Sequence, residues 1–127
     1  ETEMLLNDKV YSVEGTPVVR FLQEVPLPYV LEGVAQALVQ GDGPVPSSIF
    51  EWSRSWPNRE IDHSVVELVP RVLAVDGEHE LATGVIKTGA PYLEMRETHY
   101  SDRNEPVAYS REAVKDDFVR MRLVRTS

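Results

Sequence analysis

The residues with the most potential for chemistry are the three histidines and the carboxylates beside them. His63 directly follows Asp62, and His99 lies three residues before Asp102. A histidine that is oriented by a carboxylate can act as a general base. However, neighbouring residues on a strand point to opposite faces, which makes Asp62 and His63 a poor pair. Because no serine lies in a nucleophile-elbow pattern either, we expect that the chain is not an enzyme.

Sequence motifs for a metal or a nucleotide are missing. The spacing of His63, His79 and His99 gives no His-x-x-x-His pair or comparable ligand pattern. There is no Gly-x-Gly-x-x-Gly and no Walker loop. Asp116 and Asp117 could bind a cation, but a charged turn explains them adequately. We therefore expect neither a bound metal nor a cofactor.

The composition limits the possible partners. The chain has 127 residues, 42% of them hydrophobic, which fits one domain with an ordinary core. Its net charge of −8 opposes phosphate backbones, so this chain should not bind nucleic acid directly. No apolar run reaches the length of about 18 residues that a membrane span needs, and the absence of cysteine fits a reducing cytoplasm. Since the first residue is Glu1 and not Met, we expect that the chain is part of a longer protein.

Two stretches of the sequence predict long β-hairpins. The strands cover residues 4–13 and 18–25 in the first hairpin and residues 92–101 and 107–110 in the second. Polar residues and prolines separate the strands of each pair, as turn geometry requires. Residues 10–19 align without gaps on residues 99–108, with Tyr-Ser and x-Pro-Val at matching places. This match predicts a sheet built from two similar halves.

The rest of the chain supplies helices and further strands. Predicted helices cover residues 28–40, 49–56 and 76–83, and predicted strands cover residues 59–73 and 118–125. Ser48 is suited to cap the second helix, with Glu51 three residues later as in a capping box. Pro70 argues that its strand lies at a sheet edge or contains a bulge. The arginines of the last strand alternate with apolar residues, which favours a solvated face over an anion site. This order predicts an α+β domain with an antiparallel sheet.

Several short motifs occur along the chain in a recognisable order. In the second half they are Leu81-x-x-Gly84-Val85-x-x-x-Gly89-x-Pro91-x-Leu93, the turn Asp102-x-Asn104-x-Pro106-Val107, and Tyr109-Ser110 before Asp116 or Asp117. In the first half they are Gly15-x-Pro17, Pro26 and Ser48-Ile49-Phe50. Together they resemble the UTRA domain, which is the effector-binding domain of GntR-type transcription regulators of the HutC subfamily. The resemblance covers nearly the whole chain.

The resemblance implies both a fold and a function. The fold is like that of chorismate lyase, an antiparallel sheet with helices beside it, and residues 1–127 form one such domain. A pocket in this domain binds a small metabolite and changes the DNA affinity of a winged-helix domain that we expect upstream. Members of the family are usually cytoplasmic homodimers. DNA would therefore be a partner only through the upstream domain, and no membrane would be involved.

The resemblance also implies ligand-binding positions, which must be transferred one by one. They fall on Lys9, Tyr11, Phe21, Ser48, Phe50, Ala108 and Val114. Only Ser48 keeps the residue type found in members that respond to sugar phosphates. Lys9, Arg20 and Arg111 remain as possible partners for an anion. The resulting pocket is more apolar than a sugar site. A sugar effector is therefore disfavoured, because each of its hydroxyls that is buried without a partner would cost about 1–3 kcal/mol.

These positions lead to an expectation about the effector and leave two alternatives. We expect an effector with an aromatic or aliphatic body and one acidic group. The first alternative is an enzyme like chorismate lyase that acts on a small aromatic acid. The second alternative is a dimerisation module whose pocket is filled by Phe21 and Phe50.

Overall fold

A five-stranded antiparallel sheet dominates the computed structural model, with strands in the order β1-β2-β5-β4-β3. The structure describes residues 3–31, 48–56, 58–74, 80–118, 122 and 124–126. The elements are β1 Met4–Val13, β2 Thr16–Pro26, α1 Leu27–Val30, α2 Ile49–Ser53, β3 His63–Val72, a 3-10 helix Glu80–Ala82, β4 Pro91–Tyr100 and β5 Pro106–Lys115. The predicted α+β fold, an antiparallel sheet with flanking helices, is confirmed.

Both predicted hairpins are present, and they lie side by side because β2 pairs with β5. In the first hairpin, Glu14 and Gly15 have φ values of 50° and 80°. Two successive residues with positive φ favour the tight turn that joins twisted antiparallel strands. The second hairpin has a longer turn, in which Asn104 has a φ of 61°. Each hairpin carries a register shift beside its turn, at Tyr11/Ser12 and at His99/Tyr100.

Local chemistry explains three further features that the sequence predicted. The Ser48 side chain accepts a hydrogen bond from the backbone N–H of Phe50 (3.2 Å) and so caps α2. The strand that contains Pro70, β3, lies at an edge of the sheet. Gly84 has a φ of 84°, the left-handed conformation that glycine adopts readily after a helix.

The helix predictions are confirmed only in part. α1 covers the start of the helix predicted for residues 28–40, and residues 32–40 lie outside the described part of the chain. Within the helix predicted for residues 76–83, residues 80–82 form a 3-10 helix, and residues 76–79 are not described. Asp116 and Asp117 form a turn as expected, whereas most of the strand predicted for residues 118–125 is not described.

The two faces of the sheet are covered in different ways. One face packs against residues 73–74 and 80–90, which contribute Leu73, Leu81, Ala82, Val85 and Ile86 to a buried cluster with Leu22, Tyr92 and Ala113. The opposite face has two separate clusters. In the first, Trp52 and Trp56 of the α2 region pack on Val25, Val107 and Ala108. In the second, Val19 packs on Val114, its partner across β2 and β5. A cavity lies on this second face.

Candidate functional site

The cavity on the second face has a volume of about 480 Å³. This lies within the range of about 300–1,000 Å³ that is typical of small-molecule sites. Strands β1, β2, β4 and β5 form its floor, and the start of α2 forms one wall. The residues that line it are Lys9, Val10, Tyr11, Phe21, Gln23, Ser48, Ile49, Phe50, Glu97, Ser110 and Glu112.

Five of the nine site residues predicted from the sequence line this cavity: Lys9, Tyr11, Phe21, Ser48 and Phe50. The strand residues meet because side chains alternate between faces, and Lys9 pairs directly with Phe21 across β1 and β2. Ser48 and Phe50 reach the cavity because the cap places the start of α2 at its rim. Residues far apart in the sequence are thus brought to one site.

Ala108 and Val114 are close to the cavity but do not line it. Both lie on β5 and alternate in step with the lining residues Ser110 and Glu112, so they share their face of the sheet. Ala108 is fully buried beneath the α2 cluster, and Val114 is buried in the cluster with Val19. Their role is to support the floor of the cavity.

Arg20 and Arg111 lie on the opposite face of the sheet from the cavity. Arg20 donates to both carboxylate oxygens of Asp8 (2.7 and 3.1 Å) and to the carbonyl oxygen of Thr83 (3.2 Å). Arg111 donates to Glu94 (3.3 Å). Among the described residues that line the cavity, Lys9 is the only basic one. We therefore leave the two arginines out of the site.

Four polar residues of the cavity were not singled out from the sequence: Gln23, Glu97, Ser110 and Glu112. Glu97 and Glu112 form a side-chain hydrogen bond with each other. Burial raises the pKa of Glu112 to about 7, and the charge and hydrogen bond of Glu97 add to this effect. Burial also lowers the pKa of Lys9. Ser110 and Glu112 lie on β5 between the predicted site residues Ala108 and Val114 and have the same alternation along the strand. This pattern could have revealed Ser110 and Glu112 from the sequence.

His99 lies fully buried beneath the cavity and connects two serines. Its Nδ1 is 2.6 Å from Ser64 Oγ, and its Nε2 is 2.7 Å from Ser110 Oγ. Burial lowers the pKa of His99 to about 4, so the ring is neutral near pH 7. One ring nitrogen then donates and the other accepts. Asp102 does not orient His99, because both ring nitrogens of His99 are paired with serines.

The expectation that Asp62 and His63 diverge is wrong. His63 Nδ1 lies 2.9 Å from Asp62 Oδ2, and its Nε2 lies 3.1 Å from Asn104 Oδ1. The pair can form because Asp62 precedes β3 and does not follow the alternation of the strand. Both side chains are exposed, and Asp62 lines a separate cleft with Asp102 and Arg103. The pair connects the start of β3 to the turn of the second hairpin.

Metal-binding and membrane-spanning features can be assessed for the described residues. Within residues 3–31, 48–56, 58–74 and 80–118, no group of three or more histidine, aspartate or glutamate side chains could hold a metal ion. In the same part of the chain, every helix is too short or too polar to cross a bilayer.

Comparison with known proteins identifies structural relatives but no sequence relatives. No protein-family model matches the chain, and no curated protein matches its sequence. A GntR-family transcriptional regulator from Enterococcus faecalis V583 superposes with a TM-score of 0.69 at 18% identity, covering 96% of this chain and 81% of that one.

Two structures of PhnF from Mycobacterium smegmatis give a similar result. The isolated effector domain of PhnF has a TM-score of 0.69 at 13% identity and matches 98% of this chain and 70% of its own. The longer PhnF structure has a TM-score of 0.70 at 13% identity, and this chain spans 51% of it. At these identities the likeness establishes the fold, and this chain therefore has the fold of the effector domain of a GntR-family regulator.

Proposed function

We propose that this chain is the effector-sensing and dimerisation domain of a transcription regulator of the GntR family and HutC subfamily. In this proposal residues 1–127 form one UTRA domain, and a winged-helix domain upstream binds DNA. The protein works in the cytoplasm as a homodimer and is not an enzyme. The observation that carries the proposal is the cavity of about 480 Å³, built on a fold shared with known effector domains.

The position of the cavity suggests how binding would be transmitted. A ligand there touches four strands and also Ser48 and Phe50 at the start of α2. Phe50 is 45% exposed, so a ligand in the cavity can cover the exposed part of this ring and gain apolar contact with it. Binding would thereby favour one position of α2 relative to the sheet. A coupling of about 1–3 kcal/mol to DNA binding is typical of such a shift in population.

Neither alternative function is favoured by the described residues. A filled pocket is a poor fit, because the cavity remains open beside Phe21 and Phe50. For the lyase alternative, His99 is the buried histidine nearest to the cavity. Its low pKa and its two serine partners make it a weak general base near pH 7.

A thermal-shift screen of the chain tests the proposal. The panel holds sugar phosphates, amino acids and their catabolic acids, amines and aromatic carboxylates, and each hit is checked for consumption. A ligand at 100 times its Kd should add about 2.7 kcal/mol of stability. A hit that survives unchanged and alters DNA binding by the full-length regulator supports the sensor. A hit that is consumed supports the enzyme, and a panel without hits supports a plain dimerisation module.

The homodimer is tested separately by sedimentation of the chain. The proposal requires a mass of twice 14.4 kDa at micromolar concentration. A monomer that persists at all concentrations would remove dimerisation from the function of this domain and leave sensing untouched.

A further inference from the structure

The floor of the cavity holds a pair of carboxyl groups that the proposed function does not explain. Glu97 of β4 pairs with Ser110 of β5, and Glu112 is the next residue of β5 on the same face. This diagonal position brings the two side chains into contact. A hydrogen bond between two carboxyl groups requires a proton between them. Below pH 7 the pair therefore carries one negative charge in the empty cavity instead of two.

The titratable groups around this pair determine the charge of the ligand that the site can bind. The other titratable side chains that face it in the described part of the chain are Lys9 and Tyr11 from β1 and His99 from β4. His99 is neutral near pH 7, because burial lowers its pKa to about 4. If both carboxyl groups ionise, Lys9 balances one of them and a single negative charge remains. One monovalent cation would neutralise the site.

Gln23 places a hydrogen-bond donor in the cavity beside the carboxyl pair. This side chain is only 6% exposed and lines the cavity. Its Oε1 accepts a hydrogen bond from Asn7 Nδ2 (3.0 Å), whereas no side-chain bond of its Nε2 is formed within the described part of the chain. Nε2 is not among the buried atoms that lack a partner, so it is open to the cavity. A ligand oxygen in the open volume would accept from this amide group.

We propose that the Glu97–Glu112 pair binds one ammonium or guanidinium group of the effector, which takes the place of the proton shared by the two carboxyl groups. That proton leaves to solvent, so both carboxylates are ionised in the complex. Gln23 donates to an oxygen of the same molecule, and the aromatic rings that line the cavity contact its apolar body. The inference rests on the proposed function, because it names the class of effector. It replaces the acidic effector expected from the sequence, which relied on Lys9, Arg20 and Arg111 as anion partners; of these, only Lys9 lines the cavity among the described residues.

Calorimetric titration of the chain tests this proposal with matched probes. The probes are primary amines and guanidines, such as 2-phenylethylamine and agmatine, and carboxylates of the same skeleton, such as 3-phenylpropionate. Cationic probes should bind about tenfold more tightly at pH 8 than at pH 6, because a proton must leave a group that titrates near pH 7. Repeating the titration near pH 6.5 in two buffers of different ionisation enthalpy should show proton release.

Two variants and one control locate the effect. Glu112→Gln keeps the shape of the protonated side chain but cannot ionise, so it should weaken the binding of cationic probes and remove its dependence on pH. Glu97→Gln should weaken binding in the same way. Glu24→Gln, an exposed position on the opposite face of β2, should change neither. If a cavity variant does not fold, proton release by the unmodified chain still decides the question.

The outcomes separate this inference from the proposed function. If carboxylates bind and cations do not, or if cationic probes bind without proton release, the inference is wrong while the sensing function stands. If a cationic probe binds as expected but is converted, the carboxyl pair is a cation site and the sensing function is wrong. If no amine or guanidine in the panel binds, the inference is also wrong, and the wider metabolite screen decides the function.

Discussion

At the scale of single residues, the buried carboxylate of Glu94 is the strongest electrostatic feature outside the cavity. It is fully buried on the opposite face of the sheet and accepts hydrogen bonds from Arg71 (2.8 Å), Arg96 (2.9 Å) and Arg111 (3.3 Å). Burial alone would raise the pKa of Glu94, but the hydrogen bonds and charges of the arginines outweigh it and lower the pKa. Glu94 therefore keeps three positive charges together on neighbouring strands.

We predict that Glu94→Gln destabilises the fold by about 2–3 kcal/mol. The variant keeps the volume of the side chain but removes the one negative charge that the three guanidinium groups share. Loss of one partner from a buried ion pair costs about 3–5 kcal/mol, and the partial exposure of the arginines reduces this cost. Urea unfolding at pH 7 measures the change.

Glu67→Gln is the matched control for Glu94→Gln. Glu67 is exposed and lies 4.0 Å from Arg96, a distance at which a surface pair contributes at most about 1 kcal/mol. Equal losses in the two variants would show that the arginines do not depend on the buried carboxylate.

At the scale of elements, one buried serine attaches α2 to the chain that leads into β3. Ser53 has no exposed surface. Its Oγ donates to the carbonyl oxygen of Phe50 (2.8 Å) and accepts from the backbone N–H of Ile61 (2.9 Å). Because Phe50 lines the cavity, this bridge also fixes one wall of the candidate site.

We predict that Ser53→Ala costs about 1–3 kcal/mol, because it leaves the buried N–H of Ile61 without an acceptor. Thermal unfolding should show the loss, and hydrogen exchange at the Ile61 amide should become faster. Ser55→Ala is the control, since the exposed Ser55 hydroxyl donates only within its own helical turn, to the carbonyl oxygen of Trp52 (2.7 Å). A normal exchange rate at Ile61 in Ser53→Ala would contradict this account.

The elements that the sequence predicts well are those that local chemistry determines. Alternating side chains, the turn at Asn104 and the cap at Ser48 each act over a few residues, so both hairpins and the start of α2 could be predicted. Alternation also places Lys9 and Phe21 on one face once their strands are paired.

The carboxyl pair could not be predicted in the same way. Contact between Glu97 and Glu112 depends on the register of β4 against β5, which shifts at His99/Tyr100. A slip of one residue would turn one of the two side chains to the other face. Nothing in the sequence near either glutamate fixes that register. Arg111 is a different case, because alternation along β5 already places it on the opposite face from Ala108 and Val114.

At the scale of the whole molecule, the buried His99 and Glu94 and the half-buried Glu112 make stability depend on pH in opposite directions. His99 has a pKa lowered from 6.5 to about 4, so its contribution is lost as pH falls through this range. Glu94 has a lowered pKa, so its contribution is present above pH 4.5 and is lost as pH falls further. Glu112 has a pKa raised from 4.5 to about 7, so its contribution is complete below pH 4.5 and is lost as pH rises to 7.

We therefore predict that the melting temperature of the empty chain changes little between pH 4.5 and 7, where Glu112 and His99 oppose each other, and falls steeply below pH 4.5. Glu112→Gln removes one of the opposing groups. In this variant the melting temperature should fall steadily from pH 6.5 downwards and should exceed that of the unmodified chain at pH 8, where a buried like charge has been removed. Melting curves across pH 4–8 test both statements, with Glu24→Gln as the control. Parallel profiles for Glu112→Gln and the unmodified chain would mean that Glu112 ionises normally, and the proton-for-cation exchange in the cavity would then have no basis.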